Sequence, residues 1–242
     1  MADKRCVIYT GLWPDGAEVS ALPETDPEDF IICADGGYTV CELAGMRPAA
    51  VIGDFDSLTP GQIAGIDAAH IDRVVYPIEK DDTDTMLCAK YGLARGCDSF
   101  LIVGGIGGGF GHTMANLQTL SFLTDMECAA VIVTDKERIF MADGETVSAH
   151  REAKPAEPAV FTGRPGSKFS VFSYAERSSG VCIENARYRL EDAVLTQSYP
   201  VGTDNEFINS APVTISVRYG RLLIIADRPP YTGCRRNGAE RY

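Results

Sequence analysis

The feature that most limits the folds open to this chain is an alternation. Between residue 5 and about residue 145, short apolar runs at 6–9, 30–34, 50–52, 73–76, 100–103 and 129–134 take turns with longer stretches of helical composition. Short runs of this kind read as strands, and continuous apolarity suits strands buried on both faces. Strand, helix and strand in succession predict a parallel sheet covered by helices on both faces. Thr59-Pro60 predicts an N-cap followed by proline at the first helical position, opening a helix to about residue 69. A second helix is expected over 83–94 with Gly96 as its stop, and a third over 113–123. The expected fold of residues 1–145 is therefore an α/β domain, a Rossmann-like three-layer arrangement.

After Gly144 the pattern changes. The stretch SAHREAKPAEPAVF at 148–161, with Pro155 and Pro158, reads as a linker or a strand edge. Short β-like runs follow at 168–174, 180–184, 193–198, 213–219 and 222–226, with Tyr219-Gly220-Arg221 expected as a hairpin turn between the last two. Residues 146–242 are expected to form a smaller all-β sandwich ending in a frayed polar tail at 232–242.

Charge narrows the partners. The chain carries 22 Lys and Arg against 34 Asp and Glu, a net charge of −12. Nucleic acid and anionic membrane need cationic side chains to meet phosphate, so neither is expected as a partner. A small cationic substrate, or one that brings its own metal, fits the charge. The eight cysteines contain no C-x-x-C pair, and several sit in apolar runs as small hydrophobes. With no apolar run near ~18 residues and no leader-like N-terminus, the expected location is the reducing cytoplasm.

The polar signals fall where an open α/β sheet binds its ligands, beyond the carboxyl ends of the strands. The run ending at Ala34 leads into Asp35-Gly36-Gly37, and the run ending at Ile52 into Gly53-Asp54-Phe55-Asp56-Ser57. The run ending at Tyr76 precedes Glu79-Lys80-Asp81-Asp82-Thr83-Asp84, and the one ending at Val103 leads into GGIGGGFGH at 104–112. Alternation along an extended chain would point Asp54 and Asp56 the same way, with Phe55 opposite. Each motif alone has a plain explanation, as a solvated turn or as acids at a helix N-terminus. Together they place Asp35, Asp54, Asp56, Asp81 and Asp84 around one crevice, where like charges repel unless a cation lies among them. Oxygen ligands without a His/Cys cluster favour Mg²⁺.

Mg²⁺ beside glycine-rich loops points to phosphate chemistry. Glycines let backbone N–H groups approach phosphate closely, and the helix expected from Thr113 would aim its positive end there. Lys80 can neutralise either the acids or the phosphate. No lysine is followed by Ser or Thr, which excludes a Walker A loop. Phe110 and His112 stand where the third glycine of G-x-G-x-x-G would fall, which leaves the usual dinucleotide fingerprint unsupported.

ADGG at 34–37, GDFDS at 53–57, KDDTD at 80–84 and GG…GH-x-x-x-N at 104–116 resemble, in order and spacing, the thiamine pyrophosphokinase family of bacterial type. GTDNEF at 202–207 and S-x-x-x-G-x-L-L-I-I at 216–225 resemble the family's thiamine-binding domain more loosely. The resemblance implies transfer of a pyrophosphoryl group from ATP to the thiamine hydroxyl, giving thiamine diphosphate and AMP. It also implies Mg²⁺, an N-terminal ATP-binding domain, a C-terminal thiamine-binding sandwich and a homodimer. Carried over by position, Asp54, Asp56, Asp81 and Asp84 would hold the metal and orient the hydroxyl. Asp35, Gly36, Gly37, Lys80, Gly105, Gly107, Gly108, His112 and Asn116 would shape the nucleotide site. Asp204, Asn205 and Ser216 would lie near thiamine.

The chain departs from the family at two loop positions. Where the family reads G-G-R-x-D-H, this chain has glycine at both 109 and 111. Three consequences stay open: weak activity, Lys136 or Arg138 in place of the missing arginine, or a different substrate. The chain also has Asp204-Asn205 where family members often have Ser-Asn. The only tryptophan is Trp13, so a ring stacking on thiamine from the second domain would be Phe207 or Tyr199. Two other readings stay open: a related pyrophosphokinase acting on a pterin-like hydroxymethyl heterocycle, and a thiamine-binding protein with little turnover.

Overall fold

The computed structural model describes residues 4–13, 21–145 and 157–228. Outside them lie the first nine residues of the expected linker, the expected tail at 232–242 and Cys234. The chain divides into two units, Met1–Asp135 and Lys136–Tyr242.

The first unit runs β1 (Arg5–Tyr9), β2 (Phe30–Ala34), α1 (Gly37–Leu43), β3 (Ala50–Gly53), α2 (Pro60–Ala68), β4 (Asp72–Val75), α3 (Asp84–Leu93), β5 (Ser99–Val103), α4 (Phe110–Asp125) and β6 (Ala129–Val133). Its strands pair in the order β4-β3-β2-β1-β5-β6, every pair parallel. From β1 the chain builds outward to β4, then returns to the other side of β1 for β5 and β6. The central strands are buried on both faces, which is why their sequences are continuous apolar runs rather than alternating ones.

The two faces carry different helices. Val7, Tyr9, Ile31, Cys33, Val51, Leu101 and Val103 form a core with Tyr38, Val40 and Cys41 of α1 and Ile66 of α2. On the opposite face α3 lies across β1, β2 and β3 and packs on α4. Gly92 permits this close seating, since a Cβ there would fall 2.7 Å from the Phe100 ring and 3.0 Å from Cys6 Sγ. Overpacking of that kind costs about 1–3 kcal/mol. The Thr59 cap is present as a full capping box with Gln62, and residue 96 ends the α3 turn in the left-handed region. Helix α1 was not expected. Its first turn has no side-chain cap and no acidic residue, and Gly36-Gly37 reads as a turn.

The second unit contains β7 (Glu137–Asp143), β8 (Ala159–Phe161), β9 (Lys168–Ser173), β10 (Arg177–Glu184), β11 (Leu190–Thr196), β12 (Asn205–Glu206), β13 (Val213–Ser216) and β14 (Arg221–Asp227). One antiparallel set pairs in the order β12-β9-β14-β7, the other in the order β11-β10-β13-β8. Phe140, Phe161, Phe169 and Phe207 meet between them, with Phe161 edge-on to the other three at 5.2–5.6 Å. Strand β7 pairs with β14 along its length, so the second unit begins at Lys136 rather than near 146. The expected hairpin at Tyr219-Gly220-Arg221 is absent: β13 and β14 belong to different sheets, and the segment between them crosses from one to the other. Gly220 makes that crossing at φ +98°, pressed against Arg177 and Ser178 where a Cβ would lie 2.6–2.8 Å from its neighbours.

All seven described cysteines are free thiols, five of them buried. No helix among the described residues is long and apolar enough to cross a membrane.

Candidate active site

Three carboxylates meet at the carboxyl ends of β2 and β3 and the start of α3. Asp35, Asp54 and Asp84 each offer one oxygen to a group lying within 4.8 Å of one another. Asp35 follows β2 directly, and its N–H donates to Ile52 O at 2.9 Å, carrying the strand pairing one residue further. Its φ of +41° turns the chain at that point, a conformation aspartate tolerates better than most residues. Asp84 is the first residue of α3, whose cap Thr83 accepts from Met86 N–H at 3.3 Å. An acid there is favoured by the helix dipole.

Gly53 makes the convergence possible. A Cβ at this position would stand 2.8 Å from Asp35 Cβ and 3.3 Å from Asp84 Cγ, so any side chain would push the carboxylates apart. Sequence reasoning placed Gly53 in a motif without giving it a role. The available signal was a glycine ending a buried strand next to a carboxylate, a place where groups approach closely.

Lys80 enters from the loop before α3. Its Nζ lies 2.8 Å from Asp84 Oδ1 and 3.6 Å from Asp54 Oδ2, with the lysine side chain only 13% exposed. Burial pulls the ammonium's pKa down, but Asp84 and Asp54 outweigh it and hold the value above the ordinary lysine range. Burial pushes the Asp84 carboxyl up; Lys80 opposes this, while Asp35 and Asp54 add to it, and the net shift is upward. Both partners of one ion pair move up because a single ammonium serves several carboxylates. Asp35 is 6% exposed, and its Oδ1 is buried without a hydrogen-bond partner among the described residues. Asp84 Oδ1 and Lys80 Nζ are both buried and form an ion pair at 2.8 Å. Orphaned, buried, oxygen-only acceptors around a residual negative charge fit a hard divalent cation such as Mg²⁺.

Asp56 and Asp81 do not join the group; both are exposed. The expected alternation fails because β3 ends at Gly53 and Phe55 takes φ +66°. That turn buries Phe55 in the α1–α2 face. Asp56 is left to accept from its neighbour Ser57 Oγ at 3.1 Å.

Gly36 leads into α1, and Gly37 passes against β1, where a Cβ would lie 2.0 Å from Tyr9 O. After β5 the glycine loop is held by α4. The buried Asn116 donates from Nδ2 to Gly105 O at 2.7 Å, and Thr113 Oγ1 accepts from Gly107 N–H at 3.1 Å. Gly107, Gly108 and His112 are exposed. Helix α4 starts at Phe110, three residues ahead of expectation, and its N-cap Gly109 supplies no side-chain cap. Gly109 and Gly111, where the arginine and aspartate are missing, have room: a Cβ at 109 would meet only His112 Cδ2 at 3.5 Å, and at 111 nothing within 4 Å.

The remaining expected site residues lie in the second unit. Asn205 is buried and committed to the fold: Oδ1 accepts from Tyr188 N–H and Glu206 N–H, and Nδ2 donates to Tyr188 O. Asp204 is exposed, and Ser216 is half-buried in β13. Phe207 is a core ring packed on Phe161 and Phe169, whereas Tyr199 is 70% exposed. Arg138 is buried, donates to Thr162 O and lies over the Phe161 ring.

Residues 24–133 match the family model described as thiamin pyrophosphokinase, catalytic domain. Thiamine pyrophosphokinase of Bacillus subtilis (strain 168) is 26% identical over 201 residues, covering 83% of this chain and 88% of that protein. A crystal structure of thiamine pyrophosphokinase from Bacillus subtilis aligns with a TM-score of 0.77 at 23% identity, covering 93% of this chain and 99% of that one. Yeast thiamin pyrophosphokinase aligns with a TM-score of 0.71 at 14% identity, covering 94% and 87%. The structural likenesses establish a shared fold. Asp35, Asp54, Lys80 and Asp84 all fall inside residues 24–133, the segment of this chain that is similar to the catalytic domain of thiamin pyrophosphokinases.

Proposed function

We propose that the chain transfers a pyrophosphoryl group from ATP to the hydroxyl of thiamine, giving thiamine diphosphate and AMP. The observation that carries this reading is the Asp35–Asp54–Asp84 group with Lys80 inside the segment that matches the catalytic domain. Asp35, Asp54 and Asp84 are the residues that would hold Mg²⁺, which when bound supplies positive charge to the phosphate oxygens. The uncapped start of α4 and the exposed Gly108 and Gly109 before it offer N–H groups to phosphate, the Gly107 N–H being held by Thr113. Asn116 and Thr113 fix the backbone of that loop. The thiamine oxygen bonds to the β-phosphorus, the bond from that phosphorus to the oxygen bridging to the α-phosphate breaks, and AMP leaves with the bridging oxygen. The hydroxyl proton is released in the same step. Asp204, Ser216 and exposed Tyr199 of the second unit are the thiamine contacts of this reading, with Asn205 fixing the backbone of Tyr188 and Glu206 beside Asp204. The resemblance supports a cytoplasmic homodimer.

The test is AMP release from purified protein with ATP and Mg²⁺, with and without thiamine. Thiamine-dependent AMP that a chelator abolishes is the expected result; AMP formation indifferent to thiamine refutes it. The glycines at 109 and 111 favour one second reading, a thiamine binder with little turnover. It predicts that thiamine raises the melting temperature while no AMP forms.

A further inference from the structure

We propose that Lys80 is a built-in competitor for the metal. Its ammonium holds the place a divalent cation must take between Asp54 and Asp84, and it leaves that place for the phosphate of an incoming nucleotide. The inference extends the metal site of the proposed function to the order in which the site fills.

The argument begins with shared oxygen. Lys80 Nζ sits 2.8 Å from Asp84 Oδ1 and 3.6 Å from Asp54 Oδ2, between two of the three carboxylates that form the candidate metal group. A divalent cation on those carboxylates and an ammonium on the same Asp84 oxygen repel at short range, where screening by water is weak. The contact is a single ion pair at 2.8 Å, which a second cation on the same oxygen directly opposes. The group also has capacity the lysine leaves unused: Asp35 Oδ1 is buried, unpartnered and part of the same group. Three carboxylates and one ammonium leave a net charge of two negatives when all are ionised, the complement of one divalent ion.

Lys80 also has somewhere to go. It stands in the stretch between β4 and α3, which has no regular structure, on a side chain with four rotatable bonds. A phosphate chain arriving with its metal brings the anion that an expelled ammonium needs. The metal alone brings none, so its entry strands the lysine. Divalent binding is therefore weak in the free protein and strong only with nucleotide.

The test is Mn²⁺ binding followed by electron paramagnetic resonance, with and without α,β-methylene-ATP, in the wild type and in Lys80→Met and Lys80→Gln. Both substitutions keep most of the side chain's length and remove its charge, and circular dichroism checks that each is folded. Without nucleotide, both variants are expected to bind Mn²⁺ at least about tenfold more tightly than the wild type, about 1.4 kcal/mol. With the analogue, the wild type gains more affinity than either variant does. Variants that bind Mn²⁺ no more tightly than the wild type overturn the proposal, and thiamine-dependent AMP release by the wild type would then leave the pyrophosphokinase reading standing. Tighter Mn²⁺ binding in the variants, with no AMP release by the wild type, sustains the competition and sinks that reading instead.

Discussion

Replacing Gly53 by alanine places a methyl carbon 2.8 Å from Asp35 Cβ and 3.3 Å from Asp84 Cγ. Non-bonded carbons settle at about 3.5–4.0 Å, so relief requires about 0.7–1.2 Å of separation at the Asp35 side. Neither neighbour yields easily, since Asp35 is anchored through Ile52 O and Asp84 is fixed at the first turn of α3. Overpacking at this level costs about 1–3 kcal/mol of stability. The larger effect is on geometry, because a displacement of about 1 Å in a positioned catalytic group lowers turnover by about a hundredfold. We expect Gly53→Ala to fold, to melt a few degrees lower and to release AMP about a hundredfold more slowly. Gly65→Ala is the control. It lies within α2 with nothing inside 4 Å of the added carbon, and alanine in a helix interior is favoured by about 0.5–1 kcal/mol. Its activity should be unchanged and its melting temperature slightly higher. Wild-type turnover in Gly53→Ala would refute the view that the closeness of Asp35 and Asp84 matters.

Asp54→Asn and Asp84→Asn are expected nearly to abolish thiamine-dependent AMP release with the circular dichroism spectrum intact, whereas Asp56→Asn and Asp81→Asn, both outside the carboxylate group, should keep most of it; equal losses in all four would show that the group is drawn wrongly. Gly109→Arg should raise turnover, since it restores a cation to the loop and the added Cβ meets only His112 Cδ2, at 3.5 Å; a fall in steady-state rate would mean that the loop serves another arrangement. Mg²⁺ at a hundred times its dissociation constant should stabilise the wild type by about 2.7 kcal/mol in thermal melts, and Asp35→Asn should lose that increment. The pH dependence has a definite sign: burial raises the metal-free Asp84 pKa, so on acidification metal affinity should begin to fall at a higher pH than it would for an ordinary carboxylate. Without metal the same shift favours the fold below the carboxyl's unfolded pKa, and that contribution is lost as pH rises through the folded pKa. Asn205→Ala should cost about 1–3 kcal/mol in denaturant titration by leaving backbone groups of Tyr188 and Glu206 without their partner; a thiamine KM change without any stability loss would return Asn205 to the binding site.

Strands of the parallel sheet were legible because burial on both faces leaves an unmistakable apolar run, and β2 falls where expected, at Phe30–Ala34. The Thr59 start of α2 was legible because capping is local chemistry. Helix α1 was not, because Gly36-Gly37 carries no start signal and its position comes from packing against β1 and β2. Strand β7 was hidden for a related reason: its partner β14 lies far along the chain. In the candidate site, Asp35, Asp54 and Asp84 could be read from their places at strand and helix ends. The inclusion of Asp56 rested on extended geometry that Phe55 breaks by turning left-handed. The use of the Asn205 amide by neighbouring backbone is a tertiary hydrogen-bond pattern with no sequence signature.

The three carboxylates come from the ends of two strands and the start of a helix that crosses them. No short fragment of the chain owns the site. Parallel strands pair only after long loops have closed, so such contacts form late in folding. A metal ion seated on Asp35, Asp54 and Asp84 is then a clock for the molecule's own assembly. Its spectroscopic signal would stay silent through collapse and helix formation, and would rise only when β2, β3 and α3 had docked.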